Sequence, residues 1–303
     1  MTMLSLETAF CNRNRWEKID VPLILEMLDF RRGHPLMSDV IKAIILGIIE
    51  GLTEFLPVSS TGHLILAGSL LSFEGDAAIT FKIVIQLGAV MAVLILYWKR
   101  YMAIGSNLIR MDFSRSRGLN VIHMVLAMLP ALIVYLLLKD TIKSHLFGPT
   151  PVLIGLVAGA VLMIIAARSR RTETADTMDR INYKQAFGIG LFQCLALWPG
   201  FSRSGSTISG GLLLGTSQKA AADFTFLISV PVMFGATLLD LYDSRDLLSS
   251  DDVVLMLIGF ATSFLVAMIA VVTFIKLIKR LRLEWFALYR FVLAALFYFI
   301  IML

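Results

Sequence analysis

Two short polar stretches interrupt an otherwise apolar chain of 303 residues, and they hold the side chains that could do chemistry. The first runs from Glu50 through Glu54 and Pro57 to Ser59, Ser60, Thr61, Gly62 and His63. The second runs from Pro199 through Ser202, Arg203, Ser204, Gly205 and Ser206 to Thr207. Glu50 and Glu54 are four apart, so on a helix they share a face, with side chains about 6 Å apart. Two carboxylates that close repel each other unless a cation or a shared proton sits between them. A divalent ion held by carboxylates, with substrate phosphate and water completing its shell, is the usual magnesium arrangement. Glu50 and Glu54 are therefore the expected metal ligands and catalytic carboxylates, for Mg2+ first and Ca2+ second. The plainer alternative is a structural Glu–Arg pair.

Hydroxyl and imidazole this near in sequence suit nucleophile activation or general acid–base work, which assigns Ser60 and His63 to the chemistry. Ser59 and Thr61 flank them as substrate-binding hydroxyls, and Gly62 allows close backbone approach. In the second stretch, Ser202, Ser204, Gly205 and Thr207 open a short helix around Arg203. Free amides at a helix start, several hydroxyls and a guanidinium make a cradle for an anion. Arg203 can grip phosphoryl oxygens in two places and offset charge that develops in the transition state. Cation, nucleophile, acid–base group and anion clamp together point to phosphate cleavage.

The elements that must position these groups lie in a membrane. Hydrophobic residues make up 58% of the chain and charged ones 16%, against about 25% charged in a soluble domain. Runs of spanning length recur at Phe81–Trp98, Val121–Leu138, Pro151–Ala167, Ala222–Tyr242, Val253–Ile275 and Phe286–Leu303. In hydrocarbon every backbone polar group must be satisfied internally, so these runs are helices. The two polar stretches instead join apolar arms of about 12–25 Å, short of a 30 Å core, which is the form of a re-entrant hairpin. Aligning Gly62 with Gly205 places Glu50 on Gln193, Ser59 on Ser202 and Ser60 on Arg203. Each hairpin precedes three spans, so the expected fold is an all-α polytopic membrane protein, an inverted repeat of two units of a re-entrant hairpin plus three helices. Repeat 1 covers about residues 37–183 and repeat 2 about 184–303 of a single membrane domain.

Loop charge supports that arrangement. Lys99, Arg100, Arg110, Arg115 and Arg117 follow the first span; Arg168, Arg170, Arg171, Arg180 and Lys184 follow the third; Lys276, Lys279, Arg280 and Arg282 follow the fifth. The other loops hold Lys139 and Lys143, or Arg245 among aspartates. The basic loops are cytoplasmic, which brings the first hairpin in from outside and the second from inside. The net charge of +5 thus belongs to topology, and nucleic acid is not an expected partner. Residues 1–36 have mixed charge and no apolar core; they read as an N-terminal extension or a mis-called start before Met37. Cys11 and Cys194 are too far apart in sequence to suggest a disulfide framework. Gly155-x-x-x-Gly159 and Gly211-x-x-x-Gly215 read as close helix packing, with a homodimer interface as their other use.

The stretch Glu50-Gly-Leu-Thr-Glu54-Phe-Leu-Pro-Val-Ser-Ser60-Thr-Gly-His63 resembles the signature of bacterial undecaprenyl-diphosphate phosphatases, also called bacitracin-resistance proteins, and Pro199-Gly-Phe-Ser-Arg203-Ser-Gly resembles their second signature. The resemblance covers residue 37 to the end of the chain. It implies hydrolysis of undecaprenyl diphosphate, the carrier lipid of peptidoglycan precursors, to the monophosphate. It further implies bacitracin resistance, dependence on a divalent cation, and a place in the bacterial inner membrane with the site open to the periplasmic side. The family roles fall on Glu50 and Glu54 for metal and acid–base work, on Ser60 and His63 for attack, and on Arg203 for phosphate. Type-2 phosphatidic-acid phosphatases also use a Ser-Gly-His element, but their second motif needs a His about six residues after its Arg, and none follows Arg203. From the residues alone, Ser60 either attacks phosphorus or positions the attacking water. The competing reading is a transporter or lipid flippase, since inverted repeats with broken helices are transporter architecture; a flippase has little use for a carboxylate pair with Ser and His. A membrane scaffold explains none of the buried charge.

Overall fold

The computed structural model describes residues 35–73, 76–111, 118–146, 148–169, 171–243 and 253–302. Most of the extension 1–36, and Arg115, Arg117, Arg170 and Arg245 of the loop-charge pattern, lie outside them. Among the described residues the regular structure is helical, joined by turns and loops, with one isolated bridge between Ala175 and Thr216. In chain order the helices are α1 (Pro35–Thr53), α2 (Ser60–Leu70), α3 (Asp76–Leu96), α4 (Trp98–Ile109), α5 (Val121–His145) and α6 (Pro149–Arg168). They continue as α7 (Tyr183–Gln193), α8 (Arg203–Leu213), α9 (Gln218–Asp243), α10 (Val253–Leu277) and α11 (Leu283–Phe297). Five of them, α5, α6, α9, α10 and α11 with its final π-helical turn, carry stretches long and apolar enough to cross a membrane. The protein is thus a multi-pass membrane protein.

Ends are set by local chemistry. Asn120 and Asn182 cap α5 and α7, and Gln185 completes the second cap by accepting from the Asn182 amide at 3.0 Å. Capping of this kind satisfies amides that the first helical turn leaves bare. The first expected span, Phe81–Trp98, lies in α3 as far as Leu96; at Tyr97 the chain bends by 71° into α4. At 12 residues, α4 is about 18 Å long, too short to cross. It exposes Trp98, Met102, Leu108 and Ile109, as an interfacial helix does.

Helix α10 packs along both α1 and α3, while α5 packs on α7 and α6 on α11. The short α8 touches α7, α9 and α6 and is buried on all sides from Ser204 to Gly211. Close packing here is a matter of van der Waals fit, since lipid is as apolar as leucine. Glycine permits it at one junction in particular: a Cβ on Gly51 of α1 would lie 2.6 Å from the Ser263 carbonyl of α10. Phe55, Phe226 and Phe274 fill the centre with edge and tilted contacts at 5.6 and 5.9 Å. Of the expected packing glycines, Gly211 lets α8 approach Ala221 of α9 closely, where a Cβ would lie 2.7 Å from the Ala221 Cβ. Gly155 and Gly159 of α6 make room for the Pro199–Phe201 turn and for Arg290, and Gly215, at φ 82°, ends α8 rather than packing a helix.

Candidate active site

Both hairpin turns have the same construction. Ser59 precedes α2 at φ 70°, ψ 93°, and its hydroxyl accepts from the Gly62 amide at 3.4 Å. Ser202 precedes α8 at φ 72°, ψ 118°, and its hydroxyl accepts from the Gly205 amide at 3.2 Å. Positive φ is rare for a residue with a side chain, and these two serines stand at positions that the sequence alignment pairs. Each turn leaves the first amides of a helix without carbonyl partners, at the positive end of its dipole.

The turns meet. Ser204 donates to the Leu56 carbonyl at 2.8 Å, tying α8 to the first hairpin. Arg203 donates from Nη2 to Glu54 Oε1 at 3.1 Å, and the Ser60 hydroxyl donates to Glu54 Oε2 at 2.5 Å. One carboxylate therefore holds a hydroxyl of its own hairpin and a guanidinium of the other. The guanidinium carbon sits 5.7 Å from the centre of the Phe55 ring, a cation–π distance. Glu50, one helical turn before Glu54, is buried, and its Oε2 has no partner, nor has Nη1 of Arg203. Two carboxylates against one guanidinium leave a negative charge that needs a proton or a cation.

A cavity of about 240 Å³ opens beside this cluster. Glu54, Ser59, Ser60, Thr61, Ser202 and Arg203 line it, as do Gln86 of α3 and Gln193 of α7. Its apolar wall comes from Leu197, Val232 and Met233. The remaining expected site residues stand behind this surface. Ser204 is spent on Leu56, Gly205 faces Arg290 and Ser202, and Thr207 donates to the Arg203 carbonyl at 2.8 Å while accepting from Thr225. Both ring nitrogens of His63 are also taken, by the Ser59 carbonyl at 2.7 Å and the Tyr289 hydroxyl at 2.6 Å. The partner of the Ser60 hydroxyl is Glu54, not His63.

Among the described residues no three or more of His, Cys, Asp and Glu cluster as a ready metal cage. The bare Glu50 Oε2 beside Glu54 nonetheless suits a divalent ion that takes one or two carboxylates and draws the rest of its shell from substrate phosphate and water.

Sequence reasoning missed Arg290. It is fully buried on α11, inside a run that reads as nearly free of charge. It donates to the carbonyls of Gly200 and Phe201 at 2.8 Å each, of Gly155 at 3.1 Å and of Leu156 at 3.2 Å. The second signature turn is thereby bolted to α6, with help from the Trp198 indole, which donates to the Pro151 carbonyl at 2.8 Å. The cost of a charge in hydrocarbon was the signal that could have found it. Gln86 and Gln193 gave no comparable signal.

The family model described as bacitracin resistance protein BacA matches residues 43–296 of this chain. Undecaprenyl-diphosphatase 1 of a Bacillus cereus strain is 55% identical over 261 residues, covering 86% of this chain and 98% of that relative. The proteins of the same name from Bacillus thuringiensis subsp. konkukian and Bacillus anthracis match with the same identity and coverage. Both polar turns, the Ser60–Glu54–Arg203 contacts and the bracing Arg290 fall within the matched segment, and the chain belongs to the bacitracin resistance protein BacA family.

Proposed function

We propose that this protein hydrolyses undecaprenyl diphosphate to undecaprenyl phosphate and inorganic phosphate, recycling a carrier lipid of the cell wall and so conferring bacitracin resistance. The relatives' shared name and 55% identity support the reaction. The observation that carries the mechanism is Glu54, which binds the Ser60 hydroxyl with one oxygen and Arg203 with the other. Ser60 Oγ attacks the terminal phosphorus and passes its proton to Glu54. The bridging phosphorus–oxygen bond breaks, and the prenyl monophosphate leaves as an anion. Water then attacks the phosphoserine, inorganic phosphate departs, and the proton returns from Glu54 to Ser60.

Arg203 turns its free Nη1 to the phosphoryl oxygens, and the first-turn amides of α2 and α8 add donors from both hairpins. Glu50 and Glu54 would hold a divalent cation together with the substrate. When bound, that ion offsets phosphate charge. The apolar wall of Leu197, Val232 and Met233 is where the prenyl chain joins the bilayer. The protein sits in the bacterial inner membrane, its two repeats inverted, with the hairpins entering from opposite faces and the cavity open to the periplasm.

The test is phosphate release by the purified protein in detergent, with and without chelator, from prenyl diphosphates of several lengths. Turnover in detergent, where there is no bilayer to cross, separates hydrolysis from transport. Loss of turnover in Ser60→Ala, with a phosphoserine trapped by acid quench in the parent, is the expected result. Undiminished turnover in Ser60→Ala would remove Ser60 as nucleophile.

A further inference from the structure

The geometry points to Tyr289 as a positioning residue that acts through His63: the pair supplements a stretched backbone hydrogen bond in the first turn of α2 and so aims Ser60 at Glu54. The inference rests on the reading of Ser60 and Glu54 as the reacting pair. It begins from a difference between two otherwise equivalent turns. In the second hairpin the Ser202 carbonyl accepts from the Ser206 amide at 3.0 Å, an ordinary helical bond. In the first, the matching bond from the His63 amide to the Ser59 carbonyl is stretched to 3.4 Å. His63 stands where the alignment puts Ser206, and its own imidazole Nδ1 makes the shorter contact to that carbonyl, at 2.7 Å.

The tautomer follows from the partners. A carbonyl can only accept, so Nδ1 carries the proton. In the neutral ring Nε2 then has only a lone pair, and it accepts from the Tyr289 hydroxyl at 2.6 Å. The two rings also lie nearly parallel, 9° apart with centroids at 5.6 Å. With both nitrogens engaged, the imidazole has none left for Ser60, whose proton points to Glu54. What the pair does hold is the Ser59 carbonyl, in a turn at φ 70° that an L residue rarely adopts. Ser60 is the next residue, so the orientation of that peptide decides where its hydroxyl starts.

Tyr289 comes from α11, next to Arg290, which braces the other turn. Neighbouring residues of one helix thus fix both hairpins, one through an imidazole and the other directly.

The experiment measures kcat, KM and the pH–rate profile of the full chain, purified in detergent, for Tyr289→Phe, His63→Asn, His63→Ala and the double variant. Phenylalanine keeps the stacked ring and removes the hydroxyl. Asparagine places an amide N–H where Nδ1–H stood but cannot shuttle a proton at neutral pH. The expected result is a kcat about five-fold or more lower in Tyr289→Phe, with KM nearly unchanged and the profile's shape kept. His63→Asn recovers about ten-fold or more of the turnover lost in His63→Ala, and adding Tyr289→Phe to it costs nothing further, since the hydroxyl acts only through Nε2. His63→Asn as inactive as His63→Ala, with one limb of the profile gone, overturns the proposal, because the imidazole then moves a proton. Wild-type kcat in Tyr289→Phe overturns it too. Ser60→Ala, run beside these, tells the failures apart: turnover there sinks the Ser60 reading itself, whereas its loss together with a silent Tyr289→Phe sinks only the brace.

Discussion

Replacing Arg290 with methionine tests whether the second turn is held from behind. The guanidinium is completely buried and touches four carbonyls and the Met163 sulfur. Gly155 and Leu156 lie within α6, so their carbonyls keep helical partners when the guanidinium goes. Gly200 and Phe201 lie outside any helix, and their carbonyls lose their donor. A buried polar group left bare costs about 1–3 kcal/mol, which puts the two together at about 2–6 kcal/mol. Part of this is regained, because a guanidinium with no carboxylate beside it is no longer kept out of water. A net loss of about 2–4 kcal/mol lowers Tm by roughly 5–10 °C in a chain of this size. Activity falls further than stability alone dictates, since Ser202 and Arg203 directly follow the released carbonyls; a 1 Å shift of a catalytic group costs about 100-fold. Phosphate release and a thermal melt of the same purified samples give both numbers. Arg290→Lys keeps the charge but not the fork, so it falls between the parent and Arg290→Met. A normal melt and normal kcat in Arg290→Met would refute the bracing argument, and a lowered melt with normal kcat would refute its link to the site.

Three further outcomes follow from other contacts. Arg203→Lys keeps a cation but cannot hold Glu54 with one nitrogen while offering a second to phosphate; kcat drops about 100-fold or more, as phosphate release will show. Gly51→Val drives a side chain into the Ser263 carbonyl and the Ala267 amide, at 2.6 and 2.9 Å from the new Cβ. Separating α1 from α10 costs about 1–3 kcal/mol or more, lowers the melt, and reduces turnover because α1 carries Glu50. On α9, Asp223 accepts from the Tyr97 hydroxyl at 2.8 Å and from Lys219 at 2.9 Å. Asp223→Ala leaves the hydroxyl buried and bare, costing about 1–3 kcal/mol in the melt, while kcat of the folded protein stays at the parent value.

What could be read from the sequence follows what hydrocarbon enforces. Spans are legible because a bilayer demands length and apolarity together, and α5, α6, α9, α10 and α11 stand where the apolar runs lie. The bend at Tyr97 was not, because hydropathy continues through Trp98 and only the amphipathic spacing of α4 marks a change of direction. Glu54, Ser60 and Arg203 announced themselves as polar groups in apolar surroundings, and they meet. Which of them touch was not legible. Ser60 is three residues from His63 and six from Glu54, yet the turn swings its hydroxyl to the carboxylate and the imidazole to a backbone carbonyl. Arg290 and Tyr289 lie far along the chain from both motifs, and no local pattern joins them to either.

The two hairpins began as equals in the alignment, and the structure shows what their equality and their differences each do. Matching serine caps and matching glycines give two helix starts of the same shape, which suits a substrate with two phosphate groups. The side chains on those frames are opposite in sign. The position after the cap serine is Ser60 in one hairpin and Arg203 in the other, and the arm before it holds Glu50 in one and Gln193 in the other. A carboxylate at Gln193, added to Glu50 and Glu54, would put three negative charges near one guanidinium beside a diphosphate lipid. Gln193 keeps the volume without the charge, donating to the Ala127 carbonyl at 3.3 Å. Gln193→Glu should therefore weaken substrate binding more than it slows the chemical step. A KM raised about ten-fold with kcat little changed would mark lost ground-state binding. Unaltered KM would mean that the charge asymmetry of the hairpins does not serve the diphosphate.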